Sequence, residues 1–150
     1  MHIRLSVLAT RGLVALALAL FAGLTLAADA GHIKTVKGSA LVERDGKQIP
    51  ASAGMTILES DTLVTGADGS MGVTMTDNCL LSVGPNSTLA IDKYAFDSTT
   101  HAGNFDASLQ KGTLAVISGK MVKQSHDAMR VRTPTTVMAV RGTEFVVRVD

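Results

Sequence analysis

The chain has 150 residues, room for one domain, with 46% hydrophobic and only 3% aromatic side chains and 14 basic against 13 acidic residues. A nucleic-acid binder carries a basic excess over the whole domain, usually with stacking aromatics, and this composition excludes that class. The lone cysteine, Cys79, excludes an internal disulfide.

At the start, Arg4 and Arg11 precede an uncharged apolar run, Leu13 to Leu26, and small residues follow in Ala28-Asp29-Ala30. A basic start, a short apolar centre and an A-x-A exit are the marks of a secretory signal. The run is shorter than the roughly 18 residues of a membrane-spanning helix, an uncleaved N-terminal anchor being the alternative. Residues 1–30 are therefore expected to be a signal peptide. Residues 31–150 are expected to be one domain, periplasmic or secreted and not integral to a membrane after cleavage. Charge in this part is uneven: 5 basic and 9 acidic residues from Gly31 to Gln110, then 7 basic and 3 acidic from Lys111 to Asp150.

Short runs with β-branched residues follow one another between turn signals. Ala40 to Arg44 and Lys47 to Ile49 flank Asp45-Gly46, a two-residue hairpin signal. Thr62 to Thr65 ends at Gly66. Met71 to Thr76 turns at Asp77-Asn78 into Cys79 to Val83, and Gly84-Pro85-Asn86 turns again before Ser87 to Ile91. Tyr94 and Phe96, two apart, share one face of an extended segment. Asp97 to Asn104 is polar and reads as a loop. Gly112 to Ser118 is the next strand, and Val137 to Val140 and Thr143 to Val149 flank Arg141-Gly142. Turn glycines at 38, 46, 54 and 66 lie eight to twelve residues apart. That spacing predicts an all-β fold, a sandwich, barrel or solenoid-like stack of short antiparallel strands. Cys79 leads an apolar run and is expected to be buried, with an intermolecular disulfide as the alternative.

Catalytic constellations are not found. His32, His101 and His126 stand apart, outside any metal-ligand spacing, and neither a nucleophile elbow nor a phosphate-binding loop occurs. No enzyme activity, metal or cofactor is expected. Asp61, Asp68 and Asp77 recur near turns and read as turn caps. Lys111, Lys120, Lys123, Arg130 and Arg132, opposed only by Asp127, form the candidate interaction surface, suited to an anionic envelope polymer or an acidic partner. Lysines that blunt exposed sheet edges are the competing reading.

The stretches Gly38-Ser-Ala-Leu-Val-Glu-Arg-Asp-Gly46, Asp61-Thr-Leu-Val-Thr-Gly66, Gly72-Val-Thr-Met-Thr-Asp77 and Leu81-Ser-Val-Gly-Pro-Asn-Ser87 come in order. Leu109-Gln-Lys-Gly-Thr-Leu114, Val131-Arg-Thr-Pro134 and Ala139-Val-Arg-Gly-Thr-Glu-Phe145 follow. Together, over about Gly38 to Val149, they resemble the FecR domain, the periplasmic part of iron-dicitrate-type sensor regulators. The resemblance implies an all-β periplasmic binding domain without enzymatic activity. In the full regulators that domain takes a signal from an outer-membrane transporter, and the signal passes to a sigma factor. Three departures stand out. Residues 1–12 are too few for a cytoplasmic sigma-binding domain, and no receptor-docking part follows, so a free-standing secreted version is expected. Asn78-Cys79 stands where the family often has Gly-Ser. The pattern also stops a hairpin early, leaving a C-terminal edge strand open to a partner or to a second copy. The expected partner is a protein or an envelope polymer. The alternatives are an accessory of a sigma/anti-sigma system and a strand-donating structural subunit. Thr133, Pro134, Arg141, Gly142, Thr143 and Phe145 carry the family signature and are read as structural. Arg141 is expected to satisfy carbonyls or a carboxylate at a bend, and Phe145 to enter the core.

Overall fold

The structure, a computed structural model, describes residues 28–150. The expected signal lies outside the described residues except for its last three positions. The elements are β1 (Asp29–Lys37), β2 (Ala40–Arg44), β3 (Lys47–Pro50), β4 (Thr56–Leu58), β5 (Thr62–Thr65), β6 (Ser70–Met75) and β7 (Leu80–Val83). Then come β8 (Thr88–Phe96), β9 (Gly103–Ile117), a one-turn helix α1 (Lys120–Gln124), β10 (Met129–Arg132), β11 (Val137–Ala139) and β12 (Glu144–Val149).

These strands make one curled sheet with two halves, joined by β9. The first half runs β12-β9-β7-β6-β1-β4, and every pair in it is antiparallel. The second runs β3-β2-β5-β8-β9-β10-β11, antiparallel except for the parallel β9–β10 pair. The N-terminal part of β9 therefore belongs to one half and its C-terminal part to the other. A bulge brings the strand round: Thr88 pairs with Lys111 but Leu89 with Leu109, and Gly112 follows at φ +94°. A bulge with a left-handed glycine is how a strand turns a corner between sheets. At Gly112 a side chain is excluded twice over, by that dihedral and because a Cβ would run into Ser87.

Alternation along the strands explains the core. β6 reads half-buried, buried, half-buried from Ser70 to Met75, and β7 exposed, buried, exposed, buried, so Met71, Val73, Met75, Leu81 and Val83 all point inwards. From the other half Leu63, Leu89, Ile91, Phe105 and Leu109 meet them in one cluster. Tyr94 and Phe105 add an edge-to-face pair with ring centroids 5.2 Å apart. Tyr94 is buried as its spacing implies, while Phe96 is half-buried and stacks on His101. Met121 and Val122 of α1 enter the same core.

The all-β reading is what the structure shows. The Asp45-Gly46 hairpin forms with both residues at positive φ, 53° and 74°, as its twist requires. The polar loop is shorter than expected, because Gly103 and Asn104 already belong to β9. The sequence patterns did not single out β1, β4, α1, β10 or the first part of β9. At the N-terminal boundary, β1 takes up Asp29 and Ala30 from within the expected signal. Ala30 is in the core, and its carbonyl accepts from the Thr76 N–H at 2.9 Å.

Candidate interaction surface

The closing signature is a turn and a corner. In Thr133-Pro-Thr-Thr136 the Thr133 N–H donates to the Thr136 carbonyl at 2.8 Å, and the Thr136 N–H donates to Thr133 Oγ1 at 3.1 Å. Pro134 takes the second turn position, where its fixed φ fits. After β11 the chain leaves one half of the sheet and enters the other at Val140-Arg141-Gly142. Val140 is buried, and its N–H donates to the Met129 carbonyl at 2.9 Å. Gly142 sits at φ +110° with open space where a Cβ would stand, so the dihedral alone demands glycine there. Ser118 holds the far side of the corner: its N–H donates to the Thr143 carbonyl at 2.8 Å and its hydroxyl to the Gly142 carbonyl at 2.7 Å. Phe145 is half-buried and packs on the core from β12 rather than entering it.

Arg141 meets a carboxylate, that of Asp127, at 3.4 Å, with the two side chains 72% and 65% exposed. An ion pair that open to water contributes about 0–1 kcal/mol. The arginine that pins the fold is Arg44. Its Nε donates to Asp61 Oδ1 at 2.8 Å and its Nη2 to Oδ2 at 2.7 Å, with a further bond to the Thr56 carbonyl at 2.9 Å. Asp61 is only 1% exposed and also accepts from the Leu58 N–H at 2.8 Å. This two-pronged, largely desolvated pair is the strong kind. Asp61 is thus a buried ion-pair partner as well as the turn residue expected of it.

A second buried polar group lies at Asp77. Its Oδ1 accepts from the Cys79 N–H at 3.1 Å and from the Tyr94 hydroxyl at 3.2 Å, and its carbonyl accepts from the Lys120 N–H at 2.8 Å. These bonds tie the β6–β7 turn to β8 and to α1. Burial raises the Tyr94 hydroxyl above its ordinary range. Burial, with the Asp77 charge beside it, pushes the Cys79 thiol up to about 12. Cys79 is a free, buried thiol, and its position argues against the alternative of an intermolecular disulfide.

The basic run is divided over three elements. Arg130 and Arg132 share the exposed face of β10, Lys120 and Lys123 lie on α1, and Lys111 stands at the β9 corner. Lys111 lines a groove with Arg148, Lys123 one with His126, Gly142 and Thr143. Arg130 lies in register with Asp106, whose Oδ1 is buried without a hydrogen-bond partner. Among the described residues, no group of three or more His, Cys, Asp or Glu side chains is placed to hold a metal ion. No helix among them is long and apolar enough to cross a membrane.

The feature that composition did not reveal is the outer face of the first half-sheet. Register sets Leu80 of β7 beside Ile117 of β9, and Ile117 beside Glu144 of β12. Leu80 is 36%, Ile117 46% and Val146 65% exposed. Val146, Ala115, Ser82 and Gly72 form the adjoining cross-strand row. Gly72 and Thr74 help floor a groove of about 250 Å3 that Leu80 and Lys34 border. Large apolar side chains at neighbouring cross-strand positions on a solvent face make a patch, unlike scattered single ones. Alternation in β7 was visible in the sequence; the pairing that aligns Leu80 with Ile117 was not.

The model of the family described as FecR protein matches residues 61–150. Searches of curated proteins and of solved structures each found no match.

Proposed function

The chain belongs to the FecR family, a family of regulatory and sensor domains, and on that premise we propose that it is a non-enzymatic binding module of the bacterial periplasm. It docks on another protein of the cell envelope through the outer face of its first half-sheet. The observation that carries this reading is the exposed apolar row of Leu80 and Ile117 with Val146 beside it. The conspicuous polar groups, Arg44, Asp61 and Asp77, are engaged within the fold, and this face brings together three of the four exposed large hydrophobic side chains among the described residues. An apolar centre with a polar rim, here Lys34 and Glu144, is the usual make-up of a protein interface. An envelope polymer, met by Arg130 and Arg132 on β10, is the competing ligand.

A pull-down from periplasmic extract, paired with a peptidoglycan retention assay, tests the reading. Wild type is expected to retain a discrete protein that Leu80→Glu and Ile117→Glu lose. Retention on peptidoglycan that Arg130→Glu abolishes and Ile117→Glu leaves intact would favour the polymer. Recovery of neither ligand would contradict a binding role.

The family match favours one second reading, an accessory of a sigma/anti-sigma signalling system. A sigma-factor gene and an outer-membrane receptor gene next to this one would support it. Deleting this gene should then change expression of the receptor, and unchanged expression would exclude it.

A further inference from the structure

We propose that two copies of this chain pair through β12, antiparallel and centred on Val146, to continue the first half-sheet across a two-fold axis. Among the described residues β12 pairs with β9 alone. The Ser118 N–H donates to the Thr143 carbonyl at 2.8 Å, which fixes the direction of the backbone groups that follow. By strand alternation Phe145 and Val147 turn their N–H and C=O towards β9, and Glu144, Val146 and Arg148 turn theirs away. Those three residues therefore offer an edge of free donors and acceptors.

The sequence on that edge is self-complementary. In an antiparallel pair centred on Val146, Val146 faces its own copy and Glu144 of each chain faces Arg148 of the other. All three side chains are exposed and lie on the same, outer face. Opposite charges at directly paired positions favour an antiparallel register, and like charges there oppose it. Moving the register by two residues sets Glu144 against Val146 and breaks both ion pairs, so the charges select one alignment. Arg148 Nε now lies 3.2 Å from Asp150 Oδ1. Both groups are exposed, and the Glu144 carboxylate of the second copy would share or replace that contact. The apolar face also supports this occupant. Val146 meeting Val146 joins the Leu80 and Ile117 patches of the two copies into one surface across the axis. An isologous contact of this kind closes at a dimer. Such a dimer could form whether or not the joined face binds a partner, so the pairing stands apart from the docking role.

Light scattering on the purified full-length protein over a range of concentrations tests it, and wild type is expected to reach twice the chain mass. Glu144→Arg alone puts arginine against arginine at both pairs, and Arg148→Glu alone puts glutamate against glutamate. Each single variant should weaken the dimer by roughly tenfold. The double variant Glu144→Arg/Arg148→Glu restores both pairs in reversed sense and should recover the dimer. Val146→Pro removes the central edge N–H without touching the β9 ladder and should leave a folded monomer by circular dichroism. A wild-type monomer at every concentration would overturn the proposal. So would a dimer that survives Val146→Pro, or one that the double charge exchange fails to restore.

Discussion

Replacing Arg44 by alanine would leave Asp61 buried with only the Leu58 N–H as partner. Breaking such a pair from one side costs about 3–5 kcal/mol, because a carboxylate is left in the interior without its counter-charge. Arg141→Ala removes a contact between two exposed side chains and should cost less than about 1 kcal/mol. Urea unfolding of the two variants checks both, and equal losses would contradict the division. The register makes the first pair intelligible: Val42 faces Leu63 and Glu43 faces Thr62, so Arg44 stands opposite Asp61. Both residues could be read beside turns in the sequence. Their union could not, because it depends on β2 and β5 pairing across two intervening strands.

Cys79 gives the residue scale a pH dependence. Its folded pKa of about 12 lies above its ordinary value of 9.0. The folded state therefore holds the thiol proton after the unfolded state has released it. That contribution is complete below pH 9.0 and is lost as pH rises towards about 12, by about 1.4 kcal/mol per pH unit for one proton. Tyr94 is raised as well and acts in the same direction. Thermal melts should hold steady below pH 9 and fall above it, less steeply in Cys79→Ala. A thiol reagent at neutral pH should label Cys79 only after denaturant is added, and rapid native labelling would contradict its burial.

At the scale of elements, two glycine corners let the chain pass between the half-sheets. One is Gly112 within β9 and the other Gly142 between β11 and β12. They should not cost the same to replace. Gly142→Ala meets only the left-handed dihedral, worth about 1–2 kcal/mol. Gly112→Ala meets that dihedral and Ser87 besides, so its loss in urea should exceed that of Gly142→Ala by at least about 1 kcal/mol. Similar losses would mean that the Ser87 contact yields easily. The signature around Gly142 was legible as a bend, since glycine between two β-rich runs says as much. That the bend carries the chain between halves was not legible, because β11 and β12 have no local mark of which half they join. β4 was missed for a related reason: three residues are too few to show alternation. α1 was missed because one turn shows no helical period.

At the scale of the molecule, composition and turn spacing were enough for the all-β class, and the motif order for the family. The exposed apolar face was not legible, because a patch on a sheet is assembled across strands and its members are distant in sequence. Ile117 and Leu80 are ordinary strand residues until register sets them side by side. The small-residue exit reads naturally as a cut after Ala30, yet Ala30 is in the core and bonded to Thr76. We expect the mature chain to start at or before Asp29, and N-terminal sequencing that began at Gly31 would contradict this.

Crosslinking in the intact envelope tests the binding role most directly. A photoreactive residue in place of Ile117 is expected to give a discrete adduct with another envelope protein, and the adduct should vanish when Leu80→Glu is added. The same probe at Lys47 on β3, the far edge of the other half-sheet, should give none. An adduct of twice the chain mass would report the dimer and not the partner. No heterologous adduct at Ile117, or an equal one at Lys47, would contradict the account.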